Sequence, residues 1–211
     1  NRKKLNIYRF TYREKMERQV AFARPTIDQA EKQAVAAVLD GHILVHGPKS
    51  EQFERDFCGY VNGGFAVSVS SCTAALHLAY FDLGITSGDE VIVPAQTHIA
   101  TAHAVEYCGG RAVFVDAEPR TGNINIDAIE EKITSRTRAI SLVHYLGLPV
   151  DMAKINEIAQ KHGLFVLEDC ALAMGSYYDG VHCGLLGDAG CFSFYPVKHI
   201  TPAEGGMLQK K

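Results

Sequence analysis

Ala139-Ile140-Ser141-Leu142-Val143-His144, the segment from Met152 to His162, and Leu164-Phe165-Val166-Leu167-Glu168-Asp169 follow one another with only short connections. The two outer runs are almost continuously apolar, as strands covered on both faces are. The middle segment reads as a helix. A strand, a helix and a strand in this order form a right-handed crossover between parallel strands.

The same alternation extends in both directions. Upstream, strands are expected over 65–69, 90–94 and 112–116, with helices over 73–83, 100–107 and 127–133. Downstream, two further strands over 189–194 and 205–209 flank a loop that carries Lys198. Ahead of the alternation, Thr26 is expected to cap a helix over 26–39, with Ala30, Val35, Ala36 and Leu39 as its apolar stripe. A second amphipathic helix is expected over 50–61, with Phe53, Phe57 and Tyr60 at helical spacing. Residues 1–24 are polar and basic at their start and read as an N-terminal arm. The expected fold is α/β, a three-layer sandwich around a mostly parallel central sheet, carried by residues 25–211.

Composition narrows the function classes. With 47% hydrophobic and 21% charged residues, the chain has an ordinary globular composition. A formal net charge of −3 gives no electrostatic reason to expect nucleic acid or an anionic membrane as partner. No apolar run reaches the roughly 18–20 residues of a membrane span. The six cysteines, at 58, 72, 108, 170, 183 and 191, lack CxxC pairs or a disulfide-framework spacing, which fits free thiols in a reducing cytoplasm. The nine histidines form no HExxH, and no metal site is expected.

In open parallel sheets ligands collect at the carboxyl ends of the strands. Three such ends carry chemistry. Val69-Ser70-Ser71-Cys72-Thr73-Ala74 turns from strand to helix, where the Cys72, Thr73 and Ala74 amides and the Thr73 hydroxyl could cradle a phosphate. Simple N-capping is the plainer alternative. Val93-Pro94-Ala95-Gln96-Thr97-His98-Ile99-Ala100-Thr101 puts a planar ring, His98, at the second end. Glu168-Asp169 is the third, two carboxylates that are costly to bury without a cationic partner. A pyridinium N–H is one such partner and a salt bridge is another. The residues alone do not choose between Glu168 and Asp169. Lys198 completes the set, since a positioned Lys and a positioned Asp are what pyridoxal phosphate (PLP) chemistry needs: one to bind the aldehyde as a Schiff base, the other to hold a proton on the ring nitrogen.

The order of these segments resembles the DegT/DnrJ/EryC1/StrS family of sugar aminotransferases. The resemblance lies in Ser71-Cys72-Thr73-Ala74-Ala75-Leu76-His77-Leu78, Gly88-Asp89-Glu90-Val91-Ile92-Val93-Pro94 and Val113-Phe114-Val115-Asp116. It continues in Glu168-Asp169-Cys170-Ala171, in Gly187 to Lys198 with Phe192-Ser193-Phe194-Tyr195-Pro196-Val197-Lys198, and in Glu204-Gly205-Gly206-Met207. The resemblance implies a fold-type I PLP enzyme with Asp169 on the pyridine nitrogen and Lys198 as the Schiff-base lysine. It also implies Ser193, Thr73 and the Cys72 backbone at the phosphate, and His98 stacked on the ring.

By the same resemblance the reaction is amino transfer from an amino acid, L-glutamate in most of the family, to a nucleotide-linked keto sugar. A cytoplasmic homodimer is implied, and the family continues beyond residue 211 into more of the large domain and a small C-terminal domain that this chain does not contain. The departures are Cys72 for a usual Gly, His98 for Phe, Tyr or Trp, Leu172 for Gln or His, and Met174 for a polar residue. They motivate one alternative, a PLP-fold protein without transaminase activity. Another is a PLP-dependent lyase using Cys170 or Cys191. Relatives that act as sugar dehydratases carry His in place of the lysine, and Lys198 argues against that reaction.

Overall fold

The computed structural model describes residue 21 and residues 23–211, so the expected arm at 1–24 falls almost wholly outside the described residues. Helix α1 (Gln29–Leu39) is capped by Asp28 rather than by Thr26. The Asp28 carboxylate accepts the Ala30 N–H at 2.8 Å, while Glu31 accepts the Asp28 N–H at 2.7 Å. This reciprocal pair is a capping box, and it outcompetes the lone threonine two residues earlier. Helix α2 (Pro48–Val61) starts with proline in its first turn and ends on Asn62 in the left-handed conformation. Its Phe53 and Phe57 meet Phe192 and Phe194 edge to face, with ring centroids 5.0–6.1 Å apart.

The alternation follows: β1 (Phe65–Val69), α3 (Cys72–Leu83), β2 (Glu90–Pro94), α4 (Ala100–Tyr107) and β3 (Arg111–Val115). The helix expected over 127–133 is instead two 3-10 turns, Ile126–Ala128 and Glu130–Lys132. Ile126 and Ile129 pack into the same cluster. Their three-residue spacing suits three residues per turn. The chain continues through β4 (Thr137–Val143), α5 (Met152–His162) and β5 (Phe165–Asp169). A small hairpin not foreseen from sequence, β6 (Tyr177–Tyr178) and β7 (Val181–His182), precedes β8 (Ala189–Ser193) and β9 (Gly206–Lys210).

The main sheet has the order β1-β9-β8-β5-β4-β2-β3. Neighbours from β3 to β8 pair in parallel, and β9 runs antiparallel to both β8 and β1. Successive side chains point to opposite faces. Val91, Val93, Ala139 and Leu167 therefore pack with α3 and α4, and Ile92, Ile140, Leu142 and Val166 pack with α5. Both faces are covered, which is why these strands are apolar throughout. Each fully buried Ile or Leu contributes about 1.5–3 kcal/mol relative to exposure. Among the described residues no helix is long and apolar enough to cross a membrane.

Candidate active site

Strand phase decides the role of the two carboxylates at the end of β5. Leu167 packs against α3 and α4, Val166 against α5. Asp169 shares the face of Leu167, and Glu168 turns to the other side. Glu168 is fully enclosed there. It accepts the Gly184 and Leu186 amides at 2.7 and 2.8 Å, the Gly187 amide at 2.6 Å, and His144 Nε2 at 2.8 Å. Four donors fill a carboxylate's acceptor capacity. His144, Glu168 and Cys183 are close enough to suggest a metal cluster, with ligand atoms within 4.8 Å of one another. The filled carboxylate instead makes them a structural knot that ties the 184–187 loop to β5.

Asp169 is different. It is 4% exposed, and the donors that reach it are neutral. Thr101 Oγ1 donates to Oδ2 at 2.9 Å; the Ala171 amide donates to Oδ1 at 3.1 Å, and the Cys72 thiol lies 3.8 Å from the same oxygen. Burial pushes the Asp169 carboxyl above its ordinary value. These hydrogen bonds and the charge of Lys198 pull the other way without overcoming it. Three donors leave one acceptor position open, on Oδ2. A buried carboxylate in this condition fits a cationic N–H partner, and a protonated pyridine nitrogen is such a group.

The start of α3 stands beside it. Ser71 caps the helix by accepting the Ala74 amide at 3.1 Å, so that amide is taken out of the expected cradle. The Cys72 and Thr73 amides remain as unpaired first-turn donors, a suitable anion seat with the Thr73 hydroxyl alongside. Strand β9 crosses closely here: a Cβ on Gly206 would lie 2.6 Å from the Cys72 nitrogen, so only glycine fits. Gly206 pairs with Ser193, which brings the Ser193 hydroxyl to the same strand end.

Lys198 closes a turn begun at Tyr195, donating its amide to the Tyr195 carbonyl at 2.8 Å with Pro196 at the second position. The loop is pinned at its base by Thr201 Oγ1 on the Phe194 carbonyl at 2.6 Å and by the Phe194 amide on Gly205 at 2.9 Å. From this loop the Lys198 charge reaches both Asp169 and Cys72. His98 lies exposed after β2, its Nδ1 accepting the Ala100 amide at 3.2 Å, which leaves the proton on Nε2.

Sequence reasoning missed Thr97, Thr101 and His144 as site residues. Thr101 is fully buried in the first turn of α4, pairs with Thr97 Oγ1 at 2.7 Å and is a direct partner of Asp169. Thr101 closes the segment that follows β2, where the planar ring of His98 draws attention and a lone threonine does not.

At these strand ends a buried carboxylate stands beside an open helix start, within reach of the charge on a lysine-bearing turn, in an α/β fold. The chain belongs to the DegT/DnrJ/EryC1/StrS aminotransferase family, whose family model matches residues 25–211. It is 44% identical over 186 residues to GDP-perosamine synthase of Escherichia coli O157:H7, covering 88% of this chain and 51% of that protein. Among solved structures, an aminotransferase from Psychrobacter cryohalolentis superposes with a TM-score of 0.85 at 38% identity, over 89% of this chain and 48% of that one. Spr1654 of Streptococcus pneumoniae, assigned as a sugar aminotransferase and solved in a PLP-form, superposes at 0.89 with 32% identity, over 91% and 53%. The chain spans about half the length of the curated relatives it matches.

Proposed function

We propose that residues 25–211 form the cofactor-binding large domain of a PLP-dependent aminotransferase that moves an amino group from an amino acid, L-glutamate by expectation, to a nucleotide-linked keto sugar. The observation that carries this reading is Asp169: a buried carboxylate among neutral donors, with one acceptor position open and Lys198 close by. When bound, PLP supplies an electron-withdrawing ring and an aldehyde carbon that takes up an amino group.

The remaining work falls to this chain's residues. Asp169 Oδ2 holds a proton on the ring nitrogen. The Cys72 and Thr73 amides, the Thr73 hydroxyl and the Ser193 hydroxyl bind the phosphate. His98 would offer a planar face to the ring. Lys198 Nζ would hold the cofactor's aldehyde and, when free, would serve as the base that moves a proton at the donor's α-carbon. The neighbouring structures of Spr1654 in PLP- and PMP-forms support a cofactor that carries the amino group between two half-reactions. A cytoplasmic homodimer belongs to the same reading.

The test is spectroscopic and then catalytic. The protein purified with PLP should show the visible absorbance of a lysine-linked cofactor, and Lys198→Ala should lose both that band and all turnover. A band that survives the substitution places the attachment elsewhere, and no band in the wild type sinks the enzyme reading. Given the band, a screen of nucleotide-linked keto sugars with glutamate identifies the acceptor.

A further inference from the structure

We propose that Thr97 and Thr101 are positioning residues for Asp169, a two-hydroxyl chain that fixes how the carboxylate faces and leaves its one open acceptor position turned to the site. Thr101 Oγ1 lies 2.9 Å from Asp169 Oδ2 and 2.7 Å from Thr97 Oγ1. A hydroxyl has one proton and an ionised carboxylate can only accept. Thr101 therefore donates to Asp169, and Thr97 must donate to Thr101. The order of the chain is set by the charge at its end, and each link polarises the next.

The geometry gives the pair its importance. Asp169 lacks a cationic hydrogen-bond partner in the described structure, so its charge is balanced by a few neutral dipoles. Thr101 is the only side-chain hydroxyl in contact with it among the described residues, and it holds the same oxygen that keeps a free acceptor position. Thr101 itself is fully buried, whereas Thr97, in the loop between β2 and α4, is partly exposed and links the buried hydroxyl toward the surface. The ionisable groups acting on or near Asp169 are Cys72 and Tyr80 from α3, Lys198 from the β8–β9 loop, Cys191 from β8, and Glu168 and Cys170 beside it in sequence. Of these, Lys198 alone is a cation, and it sits on a loop rather than on the sheet. Thr101, in the first turn of α4, and Cys72, in the first turn of α3, support the carboxylate from helices.

The consequence for amino transfer rests on Asp169 being the ring-nitrogen partner, but the dependence of Asp169 on the hydroxyls can be measured without cofactor. The protein is labelled with aspartate carrying carbon-13 at the side-chain carboxyl, and the Asp169 resonance is identified by its loss in Asp169→Asn. Thr101→Val keeps the shape and removes the donor. It should raise the midpoint of the Asp169 titration by about one to two pH units, the size expected for losing a hydrogen bond to a charged group. Thr97→Val should move it in the same direction by less, and Thr101→Ser should restore the wild-type midpoint.

An unchanged midpoint in a folded Thr101→Val protein overturns the proposal, as does a Ser variant that behaves like Val. If Thr101→Val does not fold, Thr97→Val decides at a partly exposed position, and no shift there overturns the two-hydroxyl chain. Adding PLP separates this inference from the proposed function. A wild type that never binds PLP defeats the enzyme reading and leaves the titration result standing; PLP binding with an Asp169 midpoint insensitive to Thr101 defeats the positioning role alone.

Discussion

His144 Nε2 lies 2.8 Å from Oε2 of Glu168, and neither side chain has any solvent exposure. The Val150 amide donates to His144 Nδ1 at 3.1 Å, so the ring proton is on Nε2 and points at the carboxylate. Together with the Gly184, Leu186 and Gly187 amides, this contact joins β4, β5 and the loop before β8 into one unit. The unit holds the strand end from which Asp169 projects.

Glu168→Gln tests the knot. The amide keeps the shape but has one oxygen to accept with, and its NH2 must face N–H donors. Breaking a buried pair and stranding backbone amides should cost about 2–4 kcal/mol, read as a lower midpoint in urea unfolding. A loss under about 1 kcal/mol would show that the four-donor arrangement contributes little.

Asp169→Asn should do the opposite for stability while removing function. Burial holds the folded Asp169 carboxyl above its ordinary value of 3.8. A group raised on folding adds stability below its unfolded value and loses that contribution as pH rises through the folded one. At neutral pH the cofactor-free protein therefore carries a buried charge that its donors and Lys198 only partly offset, and the neutral amide removes it. The variant should melt higher than the wild type at pH 7.5, with the gain shrinking toward pH 3.5, and should fail to retain PLP. A variant that is less stable at pH 7.5 would mean that the charge is already balanced.

Much of this was legible in the residues because the strands advertise themselves. A run such as Glu90 to Pro94, buried along its whole length, has one explanation, and the helices between such runs follow from chain reversal. The helix expected over 127–133 gives way to two 3-10 turns because Ile126 and Ile129 suit a 3-10 turn as well as an α-helix, and only packing chooses between them. The α1 cap was misplaced because Thr26 and Asp28 are both capable, and Glu31 decides between them by answering Asp28. At the site, Glu168 and Asp169 differ by phase alone, which becomes visible once Leu167 and Val166 have been assigned to their helices. Thr101 stands in a segment already notable for His98, but its role shows only once the start of α4 is seen to reach Asp169 at the end of β5.

Glu90, at the opposite end of the sheet from the candidate site, gives a pH response of the other sign. Its side chain is 4% exposed and sits between Arg136 at 2.8 Å and Arg111 at 3.6 Å. Thr134 Oγ1 donates to it at 2.6 Å. The Thr134 hydrogen bond and then those arginines hold its carboxyl below the ordinary 4.5, against the effect of burial. A carboxyl lowered on folding adds stability above its unfolded value and loses it as pH falls through the folded one. The wild type should therefore lose urea resistance as pH falls below about 4.5, beyond the trend of its other carboxylates. Glu90→Gln should cost about 1.5–3 kcal/mol at pH 7 through its weakened hydrogen bonds and should flatten this acid limb. PLP retention at pH 7 should be unchanged, because the residue touches nothing at the strand ends. An acid limb of equal steepness in the variant would assign the pH response to other groups.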